Sequence, residues 1–200
     1  MIRTTDPDAD LMIRVREGDD GAFEALVQKY QDRVLGLAYR FISDRDAAQD
    51  LAQEAFLRVY MARARYEPRA KFSTWLYRIV ANLCLNEIRW RKGRHTLALA
   101  VATETSSNLN LELTDQDDEE PIASMEKAEL ATLIQEIIAG LPDNQRIAIL
   151  LNKYEGLCYQ EVAEAMETSV MAVKSLLTRA RVKIKERLLP YLKEGDSDAM

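Results

Sequence analysis

Apolar residues recur at three- and four-residue spacings along almost the whole chain, and that period confines it to helices. In "DLMIRVREGDDGAFEALVQKYQDRVLGLAYRFIS" the spacing runs through Leu11 and Val15, then Phe23, Leu26, Val27, Tyr30, Val34, Leu37 and Phe41. Gly18 in "EGDDG" stops one helix and Asp20 starts the next. "SDRDAAQDLAQEAFLRVYMAR" opens on Ser43 with Asp46 three residues on, the spacing of a capping-box-like start. "YEPRAKFS" interrupts the pattern at Pro68, and a long helix follows from near Ser73. No segment alternates strictly between apolar and polar residues, as a half-buried strand would. The pattern predicts an all-α fold.

"TLALAVATETSSNLNLELTDQDDEEP" loses the helical period, is polar and acidic, and holds no aromatic residue, so it reads as a flexible linker. After Pro121 helical order returns in "SMEKAELATLIQEIIAGL", "PDNQRIAILLNKYEG", "CYQEVAEAM" and "VMAVKSLLTRARVKIKERLLPYL". The expected organisation is two small helical domains, 1–95 and 123–193, joined by an acidic linker over 96–122 and followed by a tail over 194–200. Two hundred residues suffice for two such cores. No apolar run is long enough to cross a bilayer, and the N-terminus lacks the apolar core and cleavage site of a secretory signal, so the expected location is cytoplasmic. Cys84 and Cys158 lie far apart in apolar helical patterns and read as small buried hydrophobes. His95 is the sole histidine, which removes histidine-based metal sites and relays. Neither a metal nor a cofactor is expected.

The net charge of −6 conceals a division into blocks. From Arg58 to Arg94 there are ten Lys and Arg against Glu67 and Glu87; from Thr96 to Ile122 there are seven acids and no cation. From Met171 to Arg187 six cations face Glu186 alone. Screening confines each charge to roughly 8–10 Å, so the blocks matter more than the total.

The second basic block lies in "YQEVAEAMETSVMAVKSLLTRAR", which has helix-turn-helix form. Val162, Ala163 and Met166 form the inner face of its first helix, and Ala163 is small enough for a close crossing. "ETS" makes the turn, and Val170, Val173 and Leu177 form the buried side of the second helix. Its other side carries Met171, Lys174, Ser175, Thr178, Arg179 and Arg181. In this motif the second helix enters the major groove, with cations on phosphates. A plain helical hairpin with a solvated basic face has the same pattern.

In "FSTWLYRIVANLCLNEIRWRKGRH" the core stripe is Phe72, Leu76, Ile79 and Leu83, with Trp90 a further candidate. Off that stripe lie Trp75, Tyr77, Arg78, Asn82, Asn86 and Arg89. Rings stack on unpaired bases, amides read their edges and guanidinium groups hold phosphates. Trp75 and Tyr77 suit core packing equally. In "DAAQDLAQEAFLRVY", Asp46, Asp50, Gln53, Glu54 and Leu57 share one helical face, while Ala48, Leu51, Ala52, Ala55, Phe56 and Val59 form the other. The polar face fits either solvent or a docked protein.

"DLAQEAFLRVY", "FSTWLYRIVANLCLNEIR", the acidic spacer, "LPDNQRIAILLNKYEGLCYQEVAEAM" and "VMAVKSLLTRAR" occur in this order and together resemble the extracytoplasmic-function sigma factors, small two-domain members of the sigma-70 family, with the envelope-stress type the nearest in look. No one of these motifs is decisive; their order and spacing are. The resemblance implies a transcription initiation factor, not an enzyme, with core RNA polymerase, promoter DNA and an anti-sigma protein as partners, no small-molecule substrate and no insertion in the membrane. Asp50, Gln53, Glu54 and Phe56 match the family's surface for core polymerase. The loop "YEPRAKF" and the helix after it match the part that opens the −10 element and captures a flipped base, which brings in Arg69, Lys71, Phe72 and Ser73 beside Trp75, Tyr77, Arg78, Asn82, Asn86 and Arg89. Met171, Ala172, Lys174, Ser175, Thr178, Arg179 and Arg181 would read the −35 element, and the linker would run toward the RNA exit path. Four positions depart from the family pattern. Leu176 stands where many members carry Arg, Glu167 where the turn often has Gly, and Met171-Ala172 where Gly-Thr is frequent. The competing reading is a stand-alone helix-turn-helix regulator, which leaves the "DLAQEAF" face without a purpose.

Overall fold

The computed structural model describes residues 6–99 and 121–195. Within them the chain forms α1 (Pro7–Arg16), α2 (Asp20–Ile42), α3 (Arg45–Ala62), a 3₁₀ turn (Arg63–Arg65), α4 (Phe72–Leu99), α5 (Pro121–Ala139), α6 (Asp143–Lys153), α7 (Tyr159–Ala165) and α8 (Val170–Gly195). Among the described residues there is no strand. The break at Gly18 and the restart at Asp20 fall where the sequence places them, with Gly18 at φ +96° and the Asp19 carboxylate accepting the Ala22 N–H.

Two boundaries differ from expectation. Ser43 closes α2 in a left-handed conformation, and Asp44 is the N-cap of α3, its carboxylate accepting the Ala47 N–H at 3.1 Å. Adjacent cap-forming residues leave the choice to the geometry of the two-residue link. Helix α4 runs past His95 to Leu99, so the helix overlaps the expected start of the linker. The rest of the acidic segment, 100–120, lies outside the described residues, as does the tail from 196.

The first bundle, α1 to α4, buries Met12, Leu26, Leu37, Phe41, Phe72 and Leu76 completely. Along α4 the buried stripe is wider than its period predicts: Thr74, Tyr77, Val80, Ala81 and Cys84 join it, Ile79 is half-buried, and Trp90 is exposed beneath Arg94. A helix covered on two sides shows more than one apolar face. The second bundle, α5 to α8, is centred on Ile147, Leu150, Leu151, Val162, Val173 and Leu177. The two cores join into one hydrophobic cluster, because α4 packs against α7 and α2 against α6. Arg146 pins this junction, donating to the carbonyls of Phe41 at 2.7 Å, Leu141 at 3.4 Å and Ala139. Its guanidinium thereby satisfies carbonyls that two helix ends leave open. Cys84 is buried as read, and burial pushes its thiol up to about 12; Cys158 is instead exposed, at the start of α7.

Candidate nucleic-acid and polymerase interfaces

A cleft of about 520 Å³ opens where the loop before α4 meets the first turns of that helix. It is lined by Arg65, Tyr66, Glu67, Arg69, Ala70, Thr74, Trp75, Arg78 and Glu164. Asp6 fixes the start of α4: its carboxylate accepts the Asp8 N–H at 3.1 Å and the Phe72 N–H at 2.7 Å, capping α1 and α4 together. Trp75 stands half-buried, edge-on to Tyr66 with ring centroids 4.9 Å apart. The Thr74 hydroxyl and the Tyr66 hydroxyl are both buried without a hydrogen-bond partner. Burial first, then the Asp6 and Asp8 carboxylates, push the Tyr66 phenol up to about 12. An aromatic ring edge and three guanidinium groups in one recess, with Glu67 and Glu164 beside them, suit an unstacked base with its phosphates.

The structure brings only some of the predicted residues to this cleft. Arg69, Trp75 and Arg78 line it, and Lys71 and Ser73 lie at the entry to α4. Asn82 is half-buried farther along, and beyond it Asn86 and Arg89 are exposed, with Arg89 donating to Asn86 Oδ1 at 3.0 Å. Phe72 and Tyr77 are fully buried. Phe72 packs beneath Trp75 and beside Tyr30, and Tyr77 donates its hydroxyl to Glu155 of the second bundle. In this arrangement both rings are closed off from solvent. Arg65 and Thr74 escaped the sequence reading, and Tyr66 entered it only as part of the loop "YEPRAKF"; Arg65 was legible as part of the basic run, whereas a buried Tyr and Thr leave no pattern.

On α3 the division into two faces holds. Asp46, Asp50, Gln53 and Leu57 are exposed, and Ala48, Ala52, Ala55, Phe56 and Val59 are buried. Glu54 is half-buried and accepts from Arg58 Nε at 2.7 Å. Phe56 therefore sits beneath the exposed polar face and supports it. Met61, 71% exposed, extends that face beyond Leu57, 53% exposed; its i, i+4 spacing from Leu57 was the missed signal.

The helix-turn-helix consists of α7, a turn over 166–169 and α8. Glu167 takes φ +51°, so the turn does need the left-handed conformation that glycine adopts without cost. Ser169 Oγ accepts the Ala172 N–H at 3.1 Å and caps α8. Val162, Ala163, Val173 and Leu177 are buried, with Met166 and Val170 half-buried. Met171, Lys174, Ser175, Thr178, Arg179 and Arg181 are exposed on the outer side, and Ala172 is half-buried. Arg181 is partly engaged within the domain, 3.1 Å from the Tyr159 hydroxyl. Leu176 packs against the core, as an apolar residue at this position should.

Residues 26–94 match Sigma-70 region 2 and residues 131–184 match Sigma-70 region 4. The chain is 38% identical to the RNA polymerase sigma-H factor of Pseudomonas aeruginosa over 96% of its length and 99% of the relative's. It is 34% identical to the ECF RNA polymerase sigma-E factor of Haemophilus influenzae over 92% of its length and 97% of that relative's. Its fold is similar to that of CnrH in complex with the cytosolic domain of CnrY, with TM-score 0.66, 23% identity and coverage of 92% of this chain and 97% of that one. It is likewise similar to the sigma factor RpoE in complex with the anti-sigma factor NepR from Bartonella quintana, with TM-score 0.65, 20% identity and coverage of 83% and 96%. The chain belongs to the sigma-70 family, in its extracytoplasmic-function group.

Proposed function

We propose that promoter recognition is divided between the two basic faces of this chain, and that α3 carries the contact with polymerase. As a sigma-70 family member the chain directs core RNA polymerase to promoter DNA. In the proposal, the cleft of Arg65, Arg69, Trp75 and Arg78 takes a base of the opened −10 strand, and Lys71, Ser73, Asn82, Asn86 and Arg89 guide that strand along α4. Phe72 and Tyr77 act by positioning the helix. Met171, Ala172, Lys174, Ser175, Thr178, Arg179 and Arg181 on α8 read the −35 element as duplex. Asp50, Gln53 and Glu54, with Leu57 and Met61, form the docking face for core polymerase.

The observation that carries this reading is the cleft: cations and an aromatic edge converge on one recess, in the half of the chain that matches region 2. Control by an anti-sigma factor is proposed on the same footing as in the RpoE complex. The chain carries out no catalytic step in this scheme, and no cofactor is assigned to it. Its place of action is the cytoplasm, where core polymerase works; no described helix is long and apolar enough to cross a membrane. Purified chain mixed with core polymerase should initiate at defined start sites, and transcript mapping after overexpression should align two upstream elements. Failure to co-purify with core polymerase overturns the reading. A footprint on duplex DNA at moderate salt without polymerase would favour the stand-alone regulator.

A further inference from the structure

Helix α1 grips the loop before α4 from both of that loop's ends. The loop runs from Tyr66 to Phe72. Arg16, the last residue of α1, donates from Nη1 to the Tyr66 carbonyl at 3.2 Å. Asp6, the N-cap of α1, uses its two carboxylate oxygens separately: one accepts the Asp8 N–H at 3.1 Å, the other the Phe72 N–H at 2.7 Å. One side chain thus satisfies open N–H groups of two helices, and an amide in its place would have one acceptor oxygen instead of two.

Helix α1 is itself fixed to α2. The Asp8 carboxylate accepts from Lys29 Nζ at 2.6 and 2.7 Å and from the Tyr30 hydroxyl at 2.6 Å. Ala9, Met12 and Val15 are buried along its inner side. A hydrogen-bonded helix keeps its ends at a set separation, and Asp6 and Arg16 pass that separation to Phe72 and Tyr66. These two residues carry the rings that hold Trp75, with centroids 5.9 and 4.9 Å from it. Between them Arg69 is tied within the loop, its N–H donating to the Glu67 carbonyl at 2.8 Å and its Nε to Glu67 Oε2 at 2.7 Å. The placing of the loop's ends therefore decides where Arg69 stands relative to Trp75.

We infer that Asp6 and Arg16 are positioning residues for the cleft: α1 is a clip that holds the loop over 66–72 in the shape that admits an unstacked base. The inference rests on the assignment of the cleft to the −10 strand. Neither residue is among those lining the cleft, so each acts through Tyr66, Phe72 and Trp75. A loop ordered in advance does not have to be ordered by the strand, which raises affinity without adding a contact.

The test uses the full chain with Asp6→Ala, Arg16→Ala and the two combined. Asp44→Ala is the control, since it removes the N-cap of α3, a cap of the same kind away from the loop. Fluorescence anisotropy with a short labelled single-stranded DNA of mixed sequence is read at a temperature where circular dichroism shows every variant folded. The double variant should bind roughly tenfold more weakly than wild type, and the control should not change. The slope of log affinity against log salt should keep its wild-type value, because no phosphate contact is removed. Amide hydrogen exchange should quicken over 66–72 and stay unchanged in α8. Asp6→Asn and Arg16→Lys should each recover part of the loss. A control that weakens as much as the double variant would reduce the effect to stability and overturn the clip. A quickened loop with unchanged strand affinity overturns it as well. A slope flattened by about 0.7 in Arg16→Ala would make Arg16 a phosphate contact and remove its positioning role. If the predicted losses occur in a chain that never initiates with core polymerase, the clip stands and the sigma-factor reading falls.

Discussion

Trp75 belongs both to the core and to the wall of the cleft. Its ring is half-buried against Tyr66 and Phe72 while the same residue lines the cleft. The sequence left core and base contact equally open, and the structure gives the side chain packing contacts and a place in the cleft wall. Trp75→Ala should therefore cost about 2 kcal/mol of stability, less than a fully buried Trp, and also weaken single-strand binding. Trp75→Phe should recover most of the thermal stability. Thermal unfolding and anisotropy on both variants check this, and a stability loss with unchanged DNA affinity would leave Trp75 a packing residue only. Tyr77 was equally ambiguous in sequence and resolves the other way: it is buried, and its hydroxyl serves Glu155, which lies far along the chain and could not be paired by inspection.

At the level of helices, α3 and α8 were read nearly whole from periodicity. Both are amphipathic with one solvent side, so spacing alone sorts their faces. Asp50→Lys with Glu54→Lys should abolish co-purification with core polymerase while circular dichroism and melting temperature stay within ordinary surface-mutation limits. Retained affinity would remove the docking role from that face. Lys174→Ala with Arg179→Ala should weaken duplex −35 binding and flatten its log–log salt dependence by about 1.8, since two phosphate contacts are lost. An unchanged slope would show that neither residue holds a phosphate. Helix α4 was less legible because it is covered by α2 and α3 on one side and by α7 on another, which mixes two apolar stripes into one period.

Across the molecule the buried phenols report how tightly the bundles hold. Burial, then Asp8, raises the Tyr30 phenol; burial, then Glu155, raises that of Tyr77; Tyr66 is pushed up to about 12. A raised folded-state value means that the native chain keeps its proton, so these groups contribute stability in full below the ordinary value of 10.0 and lose it as pH rises through their folded values. Near pH 11, unfolding the protein should increase tyrosinate absorbance at 295 nm by about three tyrosines' worth. No increase would mean that these rings ionise freely in the native state. By itself the sequence determined the helices, their amphipathic faces, the division into two bundles and the alternation of charge blocks, because periodicity and composition act over a few residues. The tertiary structure decided which aromatics of α4 reach solvent, how the two cores join, and that Glu161 and Glu167 meet Lys71 and Arg78. Those features depend on groups distant in sequence, and burial and pairing arise only when the chain brings them together.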